Sequence, residues 1–576
     1  MLSGRSYLVT GLSRLTARVV DVLVDRHASV TVVGDPAAAR LGHEVAARLD
    51  DRVRLVVPAG DRDRALLDAG VVEADVVLAL ADDDLDNLRD AAAVHALAPD
   101  VPVVLRTFQP ELAEDLSGEL HLRRAYSVAA LAAPAIVAAS VGEEVIETLR
   151  LGDEEVPLCV LDVHARSPLE GCSADEVKAD TRCAVVAVQQ AGRWLGAGEL
   201  HAELGDGDRV LVGGRLLDVL ALALRNDTAG EEARAPSARQ APVRRRGGTA
   251  DGGRRRPTLL PLSLGVFGVV FAVTAVVNGV VFDLDLQGSL AVALGAALGN
   301  TTPTTDAGWV EWFNLLATVA GVVLLWVLLS HVTALVLAER FELRQTRRAK
   351  RMRDHVVVVG LGRVGYRVVE LLRDLGVECA VIERSPDSAF VEAVSVHTPV
   401  LTGDGRLPEN LERAAVDRAR CLIACTDDDL HNLATCLEAA KHNPELRTVS
   451  RAFDDVLVDR LGRAFRVDVS LSTTQLAAGA FVGAALDGFA MRPVSLDGLE
   501  LLAFRLSPSR VLTSEDLRRW RGRGLRVLAV DRGDGVEPPT VALTEPLRPG
   551  DEAIVVAPAE LARACAAEVA VPASAG

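Results

Sequence analysis

Residues 355–384 read HVVVVGLGRVGYRVVELLRDLGVECAVIER. The four valines predict a buried strand, the glycines after them predict a tight turn, and RVGYRVVELLRDLG has the apolar spacing of an amphipathic helix. The segment VECAVIER then predicts a second strand. This order of elements is typical of a βαβ fold built on a mainly parallel sheet.

Three glycines of the turn, Gly360, Gly362 and Gly365, have the spacing G-x-G-x-x-G. The first allows the tight turn, the second lets a pyrophosphate approach the backbone, and the third lets helix and strand pack closely. The start of the helix offers free N–H groups to phosphates. Glu383 lies 18 residues after the last glycine, where its carboxylate can accept hydrogen bonds from both ribose hydroxyls. We therefore predict a nucleotide site.

The carboxylate of Glu383 would repel a 2′-phosphate, so NAD or NADH is predicted rather than NADP. ATP or ADP is the alternative, because the same turn fits their phosphates. Asp404, in TGDG, and Asp427, in CTDDD, follow strands at the same sheet edge, where each could contact the ligand or cap the next helix. The residues predicted to contact nucleotide are Gly360, Gly362, Arg363, Val364, Gly365, Glu383, Arg384, Asp404, Thr426, Asp427 and Arg451.

The chain contains an internal repeat. Residues 79–88 read ALADDDLDNL and residues 424–433 read ACTDDDLHNL, an offset of 345 that also places Arg106 against Arg451. Strand and helix patterns alternate in both copies, which predicts an α/β fold with two Rossmann-like units. A short β-rich stretch follows each copy and predicts a small α+β C-terminal subdomain.

The first copy has lost the glycine-rich turn. Its sequence there is GLSRLT, so Gly11 is retained but Ser13 and Thr16 replace the other two glycines. Side chains at these positions would crowd a pyrophosphate and the contact between helix and strand. Asp35 follows the second strand one position too late for the ribose. We expect this copy to bind nucleotide weakly or not at all and to be a structural partner.

Two long uncharged stretches separate the copies. Residues 259–282 comprise 24 residues without a charge, and residues 312–338 comprise 27. A helix of 24 residues is about 36 Å long, enough to cross a hydrocarbon core of about 30 Å. A buried helix of a soluble protein is the alternative, but two such stretches in succession favour two membrane spans.

The flanking charges predict an orientation. Arginines cluster at 244–256 and basic residues at 340–353, whereas the segment between the spans carries only acidic residues. Positive charge is retained inside, so we predict a cell-membrane protein with two spans and both termini cytoplasmic. The first residues, MLSGRSYLVTG, also lack the pattern of a signal peptide. A third apolar run, 286–298, is too short to span and predicts either a re-entrant pore helix or an extracellular surface helix.

Composition excludes some classes of function. The formal net charge of −18 argues against a nucleic-acid-binding protein, whose surface would be basic. The eight cysteines include no C-x-x-C pair, so we predict reduced, mostly buried thiols and no metal site. The second copy shows no pattern of a nucleophile and its base, and we do not expect an enzyme.

The motifs VVVVGLGRVGYRVVELL, VIER, LTGDG, CTDDDLHN and SRAFDD together resemble the RCK (regulator of K+ conductance) family, also called Trk/Ktr-type NAD-binding domains. The resemblance covers most of 354–486, and residues 1–225 resemble a degenerate second copy. It implies cytosolic units that form a ring and respond to a bound nucleotide. The part between the copies resembles the two-helix pore module of prokaryotic potassium channels, which implies a homotetramer in the lipid membrane around one path for a monovalent cation.

The resemblance fails at the selectivity filter. Channels of this kind have a T-V-G-Y-G-like run after the pore helix, but this chain has ALGNTTPTTDAG. Carbonyl and hydroxyl oxygens of four consecutive residues, and one nearby carboxylate, could line a pore instead. These candidate pore residues are Gly299, Asn300, Thr301, Thr302 and Asp306.

Three classes of function follow: a nucleotide-regulated membrane ion channel or channel-like transport protein, a non-conducting membrane-tethered nucleotide sensor, and a membrane-bound NAD-dependent oxidoreductase. We favour the first. The predicted domains are a degenerate RCK domain (1–150), its subdomain (151–225), a flexible basic linker (226–257), the pore-like module (258–338), a basic connector (339–353), the nucleotide-binding RCK domain (354–490), its subdomain (491–561) and a tail (562–576).

Overall fold

The computed structural model divides the chain into two compact units, residues 1–238 with 349–576, and residues 239–348. The residues that the structure describes are 5–37, 43, 46–47, 49, 53–58, 60–109, 120–152, 154–173, 177, 180–196, 203–234, 260–298, 308–452, 467–485, 492–539 and 545–570. The five candidate pore residues and most of the predicted basic linker lie outside these ranges.

The first copy of the repeat forms a six-stranded parallel sheet. Its strands are β1 (Ser6–Thr10), β2 (Ser29–Val33), β3 (Arg54–Val56), β4 (Val76–Ala79), β5 (Val103–Arg106) and β6 (Leu122–Tyr126), and its helices are α1 (Arg14–Asp25), α2 (Arg62–Asp68), α3 (Asp84–Leu97) and α4 (Val128–Ser140). The order β3-β2-β1-β4-β5-β6 is that of a Rossmann fold. Strand β4 is buried throughout, as expected for a parallel sheet covered on both faces.

An antiparallel subdomain follows. It comprises β7 (Glu144–Leu151), β8 (Glu154–Asp162), β9 (Ala184–Gln190), β10 (Arg193–Gly196), β11 (Arg209–Gly213) and α5 (Leu216–Arg234), with the strand order β10-β9-β11-β8-β7. Strand β8 reads EEVPLCVLD and is buried along most of its length, because one face meets α5 and the other meets the second subdomain.

The second compact unit, residues 239–348, is helical. The helices are α6 (Leu260–Val281), α7 (Leu286–Ala297) and α8 (Gly308–Ala349), the last of which ends in the first compact unit. Within α6 and α8, Leu264–Val281 and Glu311–Ser330 are long and apolar enough to cross a membrane. Only 17% of each segment is buried in the unit although both segments are apolar, which is the pattern of a surface that faces lipid or another subunit.

Close packing and one polar contact hold these three helices together. The buried amides of Asn278 and Asn314 exchange hydrogen bonds of 2.9 and 3.0 Å between α6 and α8. A Cβ on Gly321 would lie 2.8 Å from the Cα of Ala297, so the glycine lets α7 and α8 approach each other. The assignment of 286–298 to a re-entrant helix stays a prediction.

The second copy repeats the first. Its strands are β12 (Val356–Val359), β13 (Cys379–Glu383), β14 (Val400–Thr402), β15 (Cys421–Ala424), β16 (Arg447–Ala452) and β17 (Val469–Ser472), and its helices are α9 (Arg363–Asp374), α10 (Val391–Ser395), α11 (Pro408–Arg413), α12 (Asp429–His442) and α13 (Thr473–Ala485). All ladders are parallel, and the order is β14-β13-β12-β15-β16-β17.

The second subdomain packs on the first. It contains β18 (Arg492–Leu496), β19 (Leu499–Leu506), α14 (Ser514–Gly522), β20 (Arg526–Asp531), β21 (Val536–Glu537), β22 (Glu552–Pro558) and α15 (Ala559–Ala570), with the strand order β18-β19-β22-β20-β21. Apolar residues of both sheets form one core, which includes Leu158, Trp194, Leu528 and Val556.

The two Rossmann-like units exchange their last helices. Helix α4 of the first unit packs on α9 of the second, and α13 of the second packs on α1 of the first. Phe481 of α13 is fully buried in the core of the first unit, where its ring lies 5.4 Å from that of Tyr126. The sequence predicts a pair of similar units, and the exchange makes them one compact body.

Candidate functional site

The glycine-rich turn joins β12 to α9. Gly360 has φ +96, and a Cβ there would lie 3.0 Å from the backbone nitrogen of Thr426. A Cβ on Gly365 would lie 2.0 Å from the carbonyl oxygen of Gly360, so only glycine allows this contact of helix and strand. The first and third glycines of the motif are therefore needed by the fold.

Gly362 has a different role. It is the N-cap of α9, has φ −81, and a Cβ there would meet nothing within 4 Å among the described residues. Glycine also has no side chain to accept hydrogen bonds from the first turn of the helix. No side chain therefore caps the N–H groups of that turn, and an uncapped helix N-terminus is the arrangement that binds phosphate.

Glu383, the last residue of β13, lies beside the turn. One carboxylate oxygen accepts a hydrogen bond from the backbone N–H of Leu361 at 2.6 Å, and the other accepts one from Ser385 at 2.8 Å. The hydroxyl of Ser388 donates to the carbonyl of Leu361 at 3.0 Å. The carboxylate is therefore held at the turn, and each oxygen keeps a lone pair for a ligand hydroxyl.

Neither Asp404 nor Asp427 caps a helix. The carboxylate of Asp404 binds the guanidinium of Arg406 at 2.6 Å, and this hydrogen bond lowers the pKa of Asp404. The N-cap of α12 is Asp428, which accepts from the backbone N–H of His431 at 3.0 Å. The capping alternative for Asp427 is wrong by one residue.

All the predicted nucleotide-contacting residues except Gly365 line one cavity of about 560 Å³. Gly365 lies behind the turn, where it makes the helix–strand contact. The sequence did not reveal that the far wall belongs to the first Rossmann-like unit, because each motif identifies only one of the two copies. The lining residues of the first unit are Asp82, Arg106, Thr107, Phe108, Ser127, Val128 and Ala129.

An ion pair joins the two Rossmann-like units beside this cavity, and further charged side chains line it. The guanidinium of Arg363, at the start of α9, binds the carboxylate of Asp84 at 2.9 Å and lies 5.6 Å from the ring centre of Phe108. Arg106 binds the carboxylate of Asp82 at 2.7 Å. Burial lowers the pKa of Arg451 to about 10, which still leaves this guanidinium charged at neutral pH.

Three aromatic rings also join the two Rossmann-like units. Phe108 of the first unit lies 5.4 Å from Phe390 and 6.3 Å from Tyr366, and the latter two are stacked at 4.6 Å. Ring contacts at these distances stabilise an interface beyond the apolar area they bury. They fix the position of the first unit's wall next to the glycine-rich turn.

The equivalent turn of the first unit is closed by side chains. Ser13 is the N-cap of α1, and its hydroxyl accepts from the N–H of Thr16 at 3.2 Å and donates to the carbonyl of Leu80 at 2.6 Å. The hydroxyl of Thr16 donates to the carbonyl of Gly11 at 2.8 Å, so its contact with the strand is a hydrogen bond and not the expected crowding.

A carboxylate is also missing at the ribose position of the first unit. In the pairing of β1 with β2, Thr10 lies against Val33, as Val359 lies against Ile382 in the second unit. Gly34 therefore stands where Glu383 stands in the second unit. Asp35 follows it and accepts a hydrogen bond from the N–H of Ala37 at 2.8 Å, which forms a local turn.

Other chemistry has little support among the described residues. They contain no group of three His, Cys, Asp or Glu side chains placed to hold a metal ion. All eight cysteines are free thiols, and seven of them are buried. Burial raises the pKa of Cys425, behind the glycine-rich turn, to about 12, so this thiol is neutral and unreactive.

Both Rossmann-like units match a known domain family. The family model of the TrkA-N domain matches residues 7–126 and 356–472. Probable potassium channel protein 2 of Methanocaldococcus jannaschii is 24% identical over 194 residues, which is 32% of this chain and 56% of that protein. A Trk system potassium uptake protein TrkA homolog of Pyrococcus abyssi is 28% identical over 160 residues, 27% of this chain and 70% of that protein.

The match to an uncharacterized protein of Methanothermus fervidus, 30% identical over 119 residues, spans 20% of this chain and only 19% of that protein. A solved structure of the GsuK channel bound to NAD has a TM-score of 0.48 and 15% identity over 98% of this chain and 79% of that one. The family model matches both Rossmann-like units and includes the turn after the first strand in each of them. The two Rossmann-like units are therefore TrkA-N domains, and the resemblance to the RCK family that the motifs indicate is confirmed for them.

Proposed function

We propose that this chain is a nucleotide-regulated membrane transport protein for potassium or another monovalent cation. Nucleotide binds at the glycine-rich turn of the second TrkA-N domain and changes the state of the membrane helices. The observation that carries the proposal is the open N-terminus of α9 at Gly362, which faces a cavity of about 560 Å³ beside the carboxylate of Glu383.

The ligand is a nucleotide without a 2′-phosphate. Phosphates bind to the N–H groups at the start of α9, and the ribose hydroxyls donate to Glu383, whose charge repels a phosphate on the ribose. We propose NAD or NADH, with ADP or ATP as the alternative that the same contacts allow. Arg363, Arg384 and Arg451 also line the cavity and complement the negative charge of any of these ligands.

The membrane helices are proposed to carry the transport function. Two segments can cross a bilayer by length and composition, and α8 continues without interruption from the second of them to Ala349, seven residues before β12. A continuous helix can transmit a displacement where a flexible linker could not. Ligand shifts the protein between two states only by its difference in affinity for them.

Potassium is proposed because of the relatives. The named relatives are a potassium channel protein and a potassium uptake protein. We propose four copies around one conduction path, with oxygens of residues 299–302 and Asp306 at its mouth. The absence of a T-V-G-Y-G-like run from the sequence favours one alternative, a nucleotide sensor that does not conduct.

Cation flux into proteoliposomes tests the proposal. Flux of K+ or Rb+ through the wild-type chain is expected to change on addition of NAD, NADH, ADP or ATP. Gly362→Asp should abolish this response and weaken nucleotide binding at least about 100-fold, because the new carboxylate lies at the phosphate position. Its fold should be intact, since a Cβ at Gly362 meets nothing within 4 Å among the described residues.

The alternatives predict other results. Nucleotide binding without flux would support the tethered sensor, and turnover of NADH would support the oxidoreductase. Nucleotide affinity that survives Gly362→Asp would contradict the proposed site. Gly522→Asp is a matched control, because this glycine also has open space around it and lies at the end of α14, in the second subdomain.

A further inference from the structure

We propose that Arg106, supplied by the domain that lacks the glycine-rich turn, is a phosphate-contacting residue of the nucleotide site in the other domain. The inference rests on the proposed function, because it assigns a further residue to the same site. The degenerate domain would then be a component of the ligand site and not only a structural partner.

Equivalent hydrogen bonds hold Arg106 and Arg451 at the carboxyl ends of corresponding strands in the two sheets. Arg106 is the last residue of β5, and the buried side chain of Asn87 donates to its carbonyl at 2.9 Å. Asn432 donates to the carbonyl of Arg451 in β16 at 3.0 Å. Both arginines line the cavity at the glycine-rich turn, one from each domain.

The two guanidiniums are near enough to affect each other. Burial is the main cause of the lowered pKa of Arg451, and the positive charge of Arg106 lowers it slightly further. Two like charges that face one cavity repel each other, and an anion between them relieves this repulsion. The phosphates of a nucleotide at the start of α9 are such an anion.

Arg106 retains donors for a ligand. Its side chain is 17% exposed, and one terminal nitrogen contacts the carboxylate of Asp82 at 2.7 Å and the carbonyl of Leu80 at 3.4 Å. A guanidinium has five N–H groups, so this arrangement does not exhaust it. Planar bidentate contact with phosphate oxygens is the geometry for which arginine is suited.

The first domain's own cleft has no comparable phosphate-binding position next to Arg106. That cleft also includes Arg106, but its helix N-terminus is capped by Ser13 and Thr16, and Gly34 stands at the ribose position. Its wall holds eight aspartates, among them Asp83 and Asp86, against four arginines, and this excess of negative charge repels a phosphate. The cavity at Gly362 is therefore where a phosphate and Arg106 can meet.

Asp82 opposes this contact in the absence of ligand. Its carboxylate already binds Arg106, so a phosphate must compete with it for the guanidinium. Removal of the Asp82 charge should free Arg106 and reduce repulsion of the incoming anion. Substitution of either partner breaks the same ion pair, but the effects on nucleotide affinity should have opposite signs.

Equilibrium titration of the full-length protein in detergent tests this inference, with ADP and NAD as ligands and adenosine as the probe without phosphate. Arg106→Gln should weaken ADP and NAD binding about tenfold or more and leave adenosine binding unchanged, because a hydrogen bond to a charged group is worth that ratio. Asp82→Asn should strengthen ADP and NAD binding a few-fold. Arg209→Gln, which breaks the exposed 2.9 Å pair of Arg209 with Asp162 in the first subdomain, should change none of them.

The outcomes separate this inference from the proposed function. If Arg106→Gln binds ADP and NAD like the wild type while Gly362→Asp does not, Arg106 has no contact with phosphate and the proposed function stands. If the wild type binds neither ligand, or Gly362→Asp binds as tightly as the wild type, both are wrong. Weaker ADP binding by Arg106→Gln and Asp82→Asn alike, or equal loss of adenosine binding, would mean that the ion pair acts through the fold, which would overturn the inference.

Discussion

Gly362 and Ser13 occupy the same position, the N-cap of the first helix after the first strand, in the two domains. The hydroxyl of Ser13 accepts a hydrogen bond from its own helix and thereby uses a group that a phosphate would need. Glycine leaves that group free. One side chain at this position thus separates a helix end that can bind an anion from one that is already satisfied.

A second residue of interest is Glu155 in β8. Burial raises its pKa to about 7, the charges of Arg367 and Arg150 act in the opposite direction, and that of Glu154 in the same direction. One of its carboxylate oxygens has no hydrogen-bond partner among the described residues. Arg367 belongs to α9, so Glu155 is electrostatically coupled to the helix of the nucleotide site.

Glu155 should make the stability of the protein depend on pH. Its folded-state pKa lies above the unfolded value of 4.5, so its contribution is complete below pH 4.5 and is lost as pH rises to about 7. The loss is about 3 kcal/mol in the free energy of unfolding. Glu155→Gln should remove this dependence and raise the thermal midpoint at pH 8 but not at pH 4.5. A wild-type profile identical to that of the variant would contradict the assignment, and Glu144→Gln, at an exposed position of β7, is the control.

The exchanged helices α4 and α13 connect the domains more than any single side chain does. Phe481→Ala should lower the free energy of unfolding by about 3–5 kcal/mol, because it removes a fully buried ring from the core that α13 shares with α1. Thermal or chemical unfolding measures this loss. Val396→Ala is the control, since that side chain is 68% exposed and should change stability by about 0.5 kcal/mol or less. A loss below about 1 kcal/mol for Phe481→Ala would mean that α13 is not anchored there.

The sequence predicts the strands and the glycine-rich turn because these are local patterns. Valines 356–359 are buried in one strand, and the three glycines lie at one turn, as their spacing indicates. The exchange of α4 and α13 could not be predicted. Both helices are rich in alanine and apolar nearly all round, so their sequences indicate burial but not which domain buries them. The repeat aligns Arg106 with Arg451, but the phosphate contact proposed for Arg106 depends on the exchange of α4 and α13.

The first compact unit is a pair of similar domains from one polypeptide, 1–238 and 349–576. The fragment 349–576 alone would expose the face of α13 that otherwise packs on α1, and it would leave α9 without α4. We expect this fragment to form homodimers, in which a second copy of α13 takes the place of α4, as measured by size-exclusion chromatography with light scattering. Co-expression with 1–238 should give a one-to-one complex instead. A stable monomer of 349–576 would show that the exchanged helices are dispensable.

The covalent link between the domains has an evolutionary consequence. In a dimer of identical chains every substitution occurs twice, so a side chain that closes one cleft closes both. A tandem chain has no such restriction, and Ser13, Thr16 and Gly34 could accumulate in one copy while the other kept Gly362 and Glu383. Duplication and fusion of this kind let a protein reduce its number of effector sites to one per polypeptide while it keeps the architecture of a symmetric pair.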